Sequence, residues 1–95
     1  MRRIYRVIIR GNNCFVELDG QTQIMGFFTA RFVEARNPNE AERKAIERVR
    51  AELDGKPLLN TPADVQLKID EVTEVVTSLP EHGFAWFREE DKSLQ

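Results

Sequence analysis

Apolar and polar residues alternate along the first third of the chain, and this pattern predicts β-strands. The first predicted strand spans residues 4–10 and the second spans residues 14–19. Gly-Asn-Asn at 11–13 tolerates positive φ angles, so we expect a hairpin turn there. Asp-Gly at 19–20 is a second turn signal. A third strand at about 24–36 would complete an antiparallel meander.

The third predicted strand carries large apolar side chains on both of its alternating sets. The two sets are Phe28, Ala30 and Phe32, and Met25, Phe27, Val33 and Ala35. They are offset around residues 29–32, so we expect a β-bulge there that brings both sets to the core. A strand that is apolar on both faces is usually buried on both. Since the chain offers one good helix, something else must cover the second face.

The start of that helix is marked by three residues. Asn37 is expected at the N-cap, Pro38 at the first helical position and Glu40 at the third, where they satisfy free backbone N–H groups. The helix should run to about Leu53. Its apolar stripe is Ala41, Ala45, Ile46, Val49 and Leu53.

The second half of the chain predicts a loop at 56–64 and a strand at 65–77. A phase slip at Asp70-Glu71 indicates a bulge or kink within that strand. The segment GFAWFR at 83–88 is either a short final strand or a packed tail. The expected fold is α+β, with a mainly antiparallel sheet in the order β-β-β-α-β(-β) and one helix on one sheet face. We expect one domain at 1–88 and a polar, frayed tail at 89–95.

Composition narrows the functional class. The 95 residues are 32% charged and 41% hydrophobic with a net charge of −2, which is typical of a globular domain and not of a basic nucleic-acid binder. Cys14 is the single cysteine, so no intrachain disulfide forms. The chain has no signal-peptide pattern and no apolar run long enough to span a bilayer. We therefore expect a cytoplasmic protein that has no contact with a membrane.

Little in the sequence points to catalysis. His82 is the single histidine and lies in a turn, while Cys14 falls on an inward-facing strand position. One cysteine and one histidine do not supply the usual zinc ligands. The chain has no phosphate-binding loop and no nucleophile motif. We expect no enzymatic activity, no metal and no cofactor.

Nucleic-acid binding is the weaker of two binding hypotheses. Arg2, Arg6 and Arg10 are spaced for one face of the first strand. Glu17 and Asp19 are expected beside them, so a cross-strand ion-pair ladder explains the same residues.

Self-association is the main hypothesis. The outer face of the helix mixes charges of both signs and reads as solvated, so the uncovered sheet face is the candidate interface. Its candidate residues are Tyr5, Phe15, Phe27, Val33, Trp86 and Phe87. We expect a homodimer, or a monomer if residues 83–87 fold over their own sheet. Another protein remains a second possible partner.

The run GFFTARFVEA at 26–35, with the Glu/Ala-rich helix after it, resembles a group of small uncharacterised bacterial proteins. That resemblance implies a cytoplasmic α+β domain and brings no activity with it. The strand-to-helix join VEARNPNEAERKAIERV is similar in kind to that of HicB-type antitoxins. This looser likeness implies a toxin partner bound through sheet or edge contacts. Operator binding is not implied, since neither a ribbon-helix-helix nor a helix-turn-helix segment follows.

Overall fold

The computed structural model describes residues 2–89 as a four-stranded antiparallel sheet with one helix packed on one side. The elements in chain order are β1 (Arg3–Leu18), β2 (Gln21–Ala35), α1 (Pro38–Leu53), a 3-10 turn (Pro62–Asp64), β3 (Gln66–Val75) and β4 (Ala85–Arg88). The strand order across the sheet is β3-β1-β2-β4. The predicted α+β class and single helix are confirmed.

The turn predicted at residues 11–13 is wrong, because β1 continues through it as one long strand. The register against β2 shifts between Gly11 and Cys14, where β1 holds one residue more than its partner. Asn13 has a φ of 69°. The tolerance for positive φ that suggested a turn serves a β-bulge instead. Two strands therefore precede the helix where the sequence predicted three.

Three other local predictions have a clear outcome. Asp19 and Gly20 have φ angles of 52° and 78° and close the β1–β2 hairpin, as predicted. In β3 the register against β1 shifts at Asp70, which confirms the predicted bulge. Residues 85–88 form edge strand β4 rather than a cover over the sheet.

The bulge predicted in β2 at residues 29–32 is absent, since the register there is continuous against β1. The side chains of β2 therefore alternate strictly between the two faces. Those that face α1 are Phe27, Thr29, Arg31, Val33 and Ala35, all buried. Phe28, Ala30 and Phe32 point to the other side, so the expectation that both apolar sets reach one core is wrong.

The core lies between α1 and the side of the sheet that we call the helix face. Strand β1 contributes Tyr5, Val7 and Ile9, each at most 2% exposed. The helix contributes Ala41, Ala45, Val49 and Leu53, spaced by four so that they form one stripe. The small side chains at 41 and 45 let the helix backbone approach the sheet closely. Among residues 2–89 no helix is long and apolar enough to cross a membrane.

The helix begins as the sequence predicts. Asn37 Oδ1 accepts a hydrogen bond of 2.8 Å from the Glu40 N–H. The Glu40 carboxylate reaches back to the Arg36 N–H at 3.1 Å. The backbone hydrogen bond from Arg36, with further bonds from Arg36 and Lys44, lowers the pKa of Glu40 to about 2.

Glu89, the first residue of the predicted tail and the last described residue, makes two hydrogen bonds to the sheet. Its N–H donates to the Ile24 carbonyl at 3.0 Å, and its carboxylate accepts from the Asn13 N–H at 3.2 Å. The rest of the predicted tail, residues 90–95, lies outside the described residues.

Replacing Asn37 by alanine should lower the free energy of unfolding by about 0.5–2 kcal/mol, because the Glu40 N–H loses its acceptor. Urea unfolding monitored by circular dichroism measures the change. Asn39→Ala is the matched control, since Asn39 is exposed within the first turn of the helix. Equal stabilities of the two variants would contradict the capping assignment.

Gly11→Ala should destabilise the fold by about 1–3 kcal/mol, because the Phe27 ring occupies the space of the new methyl group. Gly83→Ala is the control, as no heavy atom lies within 4 Å of the corresponding position there. That variant should stay within about 0.5 kcal/mol of the parent. Thermal and urea unfolding of both variants test this packing, and a neutral Gly11→Ala would refute it.

Candidate functional site

The side of the sheet opposite α1, which we call the open face, is not covered by a helix within residues 2–89. Paired residues of neighbouring strands share a face, so the register defines its membership. Its residues on the inner strands include Ile4, Arg6, Ile8, Arg10, Phe15, Ile24, Phe28, Ala30, Phe32 and Glu34, with Lys68, Glu71, Thr73 and Val75 on β3 and Ala85 and Phe87 on β4. Phe28 is 40% exposed. The open face is thus an apolar strip with charged side chains beside it.

The charges on the open face are arranged in pairs between β1 and β3. Arg6 bonds Glu71, and Arg10 Nη2 lies 3.4 Å from Asp70 Oδ2. The hydrogen bond from Arg6, followed by that from Thr73, holds the pKa of Glu71 below its ordinary value. The predicted ladder therefore exists, but its acids come from β3.

The acids expected beside the arginines are placed elsewhere. Glu17 and Asp19 lie at the far end of the β1–β2 hairpin, because β1 does not turn at residue 11. Arg2 is exposed and precedes β1. Of the three arginines proposed to contact nucleic acid, only Arg6 and Arg10 share the open face. The Arg10 guanidinium also lies 5.2 Å from the centroid of the Phe28 ring.

Residues 78–84, which we call the strap, run beside the outer edge of β2 before β4 begins. Between the strap and the open face lies a groove of about 580 Å³, which we call the strap groove. Its apolar lining residues include Ile8, Phe28, Ala30, Phe32, Leu79, Pro80 and Ala85. Leu79 is 59% exposed at its rim. The strap groove therefore extends the apolar strip beyond the edge of the sheet.

Glu81 fastens the strap to the sheet and to the helix. Its carboxylate accepts from the Phe32 N–H at 2.8 Å and from Arg48 Nη2 at 2.6 Å. Burial raises the pKa of Glu81, but the hydrogen bonds from Arg48 and the Phe32 N–H outweigh it and keep this pKa below its ordinary value. The Glu81 carboxylate thus accepts the hydrogen bond of the Phe32 N–H, which in a longer sheet would go to the carbonyl of a neighbouring strand.

Arg31 is a buried charge on the helix face that the sequence reading missed. Its side chain is 3% exposed and forms a two-point ion pair with Glu52 of α1, with Nε to Oε2 at 3.1 Å. The same guanidinium donates to Thr29 Oγ1 and to the His82 carbonyl in the strap. A signal was available: Arg31 is in phase with the buried set of β2, and a buried charge requires a carboxylate partner.

The structure separates the residues predicted as an interface. Tyr5, Phe27 and Val33 are at most 6% exposed under α1, so these three are core residues and have no surface to offer a partner. Trp86 is 39% exposed but lies on the helix face, against the Phe27 ring. Phe27 and Val33 were assigned to the wrong face because the prediction placed a bulge in β2. Without that bulge, strand alternation directs both side chains toward α1.

Two predicted interface residues remain on the side away from α1. Phe87 is half-buried on the open face, where its ring contacts Phe28 at 5.3 Å between centroids. Phe15 is half-buried near the hairpin end and pairs with Ile24. The apolar residues that the prediction omitted are, on the open face, Ile4, Ile8, Ile24, Phe28, Ala30, Phe32 and Val75 and, in the strap, Leu79. Strict alternation of β2 would have identified Phe28 and Phe32.

Cys14 and His82 are the residues that the sequence analysis weighed for catalysis. Cys14 is fully buried, and burial, followed by the charge of Glu89, raises the pKa of its thiol to about 11. The thiol therefore stays protonated and unreactive near neutral pH. His82 is exposed in the strap. Within residues 2–89 no three His, Cys, Asp or Glu side chains are grouped to hold a metal ion.

Glu81→Gln should lower the free energy of unfolding by roughly 1 kcal/mol at neutral pH, because hydrogen bonds to a charged acceptor are the stronger ones. Since the folded-state pKa of Glu81 is depressed, its contribution is present above the ordinary value of 4.5 and is lost as the pH falls. The difference between parent and variant should therefore shrink below that pH. Urea unfolding at neutral and acidic pH measures it.

The control for this experiment is Glu47→Gln, which removes an exposed pair with Arg43 on the helix surface. That change should cost only a few tenths of a kcal/mol. A Glu81 variant that behaves like the Glu47 variant at every pH would contradict the fastening role.

No protein-family model matches this sequence, and neither a curated protein nor a solved structure is significantly similar to it. The resemblances to small bacterial α+β proteins and to HicB-type antitoxins therefore stay predictions.

Proposed function

We propose that this protein is a non-enzymatic, self-associating interaction module and that the open face is its homodimer interface. The observation that carries the proposal is the apolar strip of Ile8, Phe28, Ala30 and Phe32 on a sheet face that α1 leaves uncovered. Exposed apolar patches of this kind mark interaction surfaces in globular proteins.

The dimensions of the open face suit a second copy of the chain. With a rise of about 3.3 Å per residue and strands about 4.8 Å apart, the face measures on the order of 500–600 Å² in projection. A stable interface buries about 800 Å² of accessible surface on each partner. Because accessible area exceeds projected area, two copies packed face to face would use most of the open face.

The charges of the open face also favour a second copy over a polyanion. Arg6 and Arg10 are each paired with a carboxylate of β3, so the face carries little net charge. Two copies of a nearly neutral face can pack against each other without electrostatic repulsion. Nucleic-acid binding, in contrast, relies on cations that are free to neutralise phosphates. RNA binding through Arg6, Arg10 and the Phe28 ring is therefore the second candidate.

Size-exclusion chromatography with light scattering should give a mass near twice 11.0 kDa. Leu79→Asp, at a rim position that is 59% exposed, should convert the dimer to a monomer because it places a charge in the buried interface. The matched control is Leu59→Asp, since Leu59 is 57% exposed but belongs to the helix-face side of the molecule. That variant should remain dimeric.

A parent protein that is monomeric at all concentrations would refute the dimer. Absorbance recorded at 260 and 280 nm during the same run tests the second candidate. Co-purified nucleic acid that is lost on Arg6→Glu, with the mass unchanged, would replace self-association by RNA binding.

A further inference from the structure

A second apolar groove lies on the helix face, where the β1–β2 hairpin extends past the end of α1. We call it the hairpin groove, and its volume is about 600 Å³. Its apolar walls are Val16, Leu18, Met25, Leu58, Leu59 and Trp86. Leu18, Leu59 and Trp86 are 40%, 57% and 39% exposed. Because it is on the opposite side of the sheet, the dimer proposed above leaves it open.

The walls of the hairpin groove are held by backbone hydrogen bonds. Past the last β3 pair, the free edge of β1 is taken by the chain that follows α1. The Leu59 N–H donates to the Phe15 carbonyl at 2.7 Å. The Asn60 amide accepts from the Phe15 N–H at 3.1 Å and donates to the Asn13 carbonyl at 2.8 Å. These bonds fix Leu58 and Leu59 above the hairpin, so the groove is formed before any ligand arrives.

Two of the lining residues, Trp86 and Lys56, both contact the ring of Phe84, which lies behind the lining. Trp86 stacks on Phe84, with 5.7 Å between ring centroids, and both rings contact Phe27. The Lys56 ammonium lies 4.9 Å from the centroid of Phe84. The ion pairs found among residues 2–89 do not include Lys56. The neighbouring cation, Arg31, is instead committed to Glu52.

We propose that the hairpin groove binds an amphipathic carboxylate of the medium-chain fatty-acid type. The aliphatic chain would lie against Leu18, Met25 and Leu59, and the carboxylate would bind the Lys56 ammonium at the rim. The volume falls within the range of about 300–1,000 Å³ that is usual for small-molecule sites. Two charged residues, Lys56 and Glu17, line the groove. Glu17 lies between Val16 and Leu18 in β1, so strand alternation turns its side chain to the other face and leaves the Lys56 ammonium as the charged group of the groove. A mainly apolar lining with this cation at its edge matches a ligand with a long apolar part and one anionic end.

Trp86 is the single tryptophan of the chain, so its fluorescence reports on this groove alone. Titration with decanoate, kept below its micelle-forming concentration, should shift the emission to shorter wavelength and saturate, because the ligand displaces water from the indole. Decanol should bind about fivefold more weakly, the equivalent of roughly 1 kcal/mol for the missing ion pair. Decyltrimethylammonium should bind more weakly still.

Two pairs of variants locate the site. Leu59→Asp should weaken decanoate binding at least about tenfold, whereas Leu79→Asp, similarly exposed but in the strap groove, should leave it unchanged. Lys56→Gln should weaken decanoate about fivefold without affecting decanol. Lys68→Gln, an exposed lysine of β3, should change neither.

Three results would overturn the proposal: no saturable shift of the Trp86 emission, equal affinity for decanoate and decyltrimethylammonium, or equal loss with Leu59→Asp and Leu79→Asp. Thermal unfolding of each variant shows whether it is folded, and Lys56→Gln keeps the test available if Leu59→Asp is not. The inference is independent of the proposed dimer. Leu79→Asp should abolish the dimer and keep decanoate binding. Leu59→Asp should keep the dimer and weaken decanoate binding.

Discussion

A helix of 16 residues is about 24 Å long and about 10 Å wide, and it can therefore cover only one side of a four-stranded sheet. This limit governs the rest of the structure. The helix face closes over Tyr5, Val7, Ile9 and Phe27 and forms the core. The open face keeps a second apolar strip, because β2 carries apolar residues in both of its alternating sets. The only described segment that reaches toward that strip is the strap, which forms one wall of a groove and leaves most of the face uncovered.

Arg31 connects the parts that meet on the helix side. It is buried, and one guanidinium bonds Glu52 of α1, Thr29 of β2 and the His82 carbonyl of the strap. Removing a partner from a buried ion pair is costly because an uncompensated charge remains. Glu81 adds a second attachment outside the core, where its carboxylate replaces a strand partner for Phe32. The strap is thus held by the charged groups of Arg31 and Glu81 and by the Thr29 hydroxyl, which donates to the Gly83 carbonyl at 3.2 Å, and not by a regular β-ladder.

The two grooves lie on opposite sides of one sheet and differ in their surroundings. The strap groove adjoins a broad apolar face whose arginines are paired with acids. The hairpin groove has a similar volume, is lined by Trp86 among its apolar residues and carries at its rim Lys56, which has no role in the ion pairs found within residues 2–89. Within residues 2–89, five of the seven exposed large apolar side chains belong to these grooves: Phe28 and Leu79 to the first, and Leu18, Leu59 and Trp86 to the second. Exposure of large apolar side chains is therefore concentrated at the two proposed sites.

Short sequence patterns correctly predicted the elements that depend on interactions between residues close in the chain. Asn37, Pro38 and Glu40 determined the start of α1, Asp19-Gly20 determined the hairpin turn, and the phase slip at Asp70 determined the β3 bulge, because backbone hydrogen bonding and φ preferences act over a few residues.

Tertiary structure decided the rest. Gly-Asn-Asn at 11–13 suits both a turn and a bulge, and the Phe27 ring packed over Gly11 in a continuous β1–β2 ladder selects the bulge. That choice moved Glu17 and Asp19 away from the arginines. The strict alternation along β2 assigned Phe27 and Val33 to the core and Phe28 and Phe32 to the open face. The path of α1 across the sheet decides which of the two apolar sets of β2 the helix covers. That path depends on contacts between residues far apart in the chain, so a short stretch of sequence does not determine it.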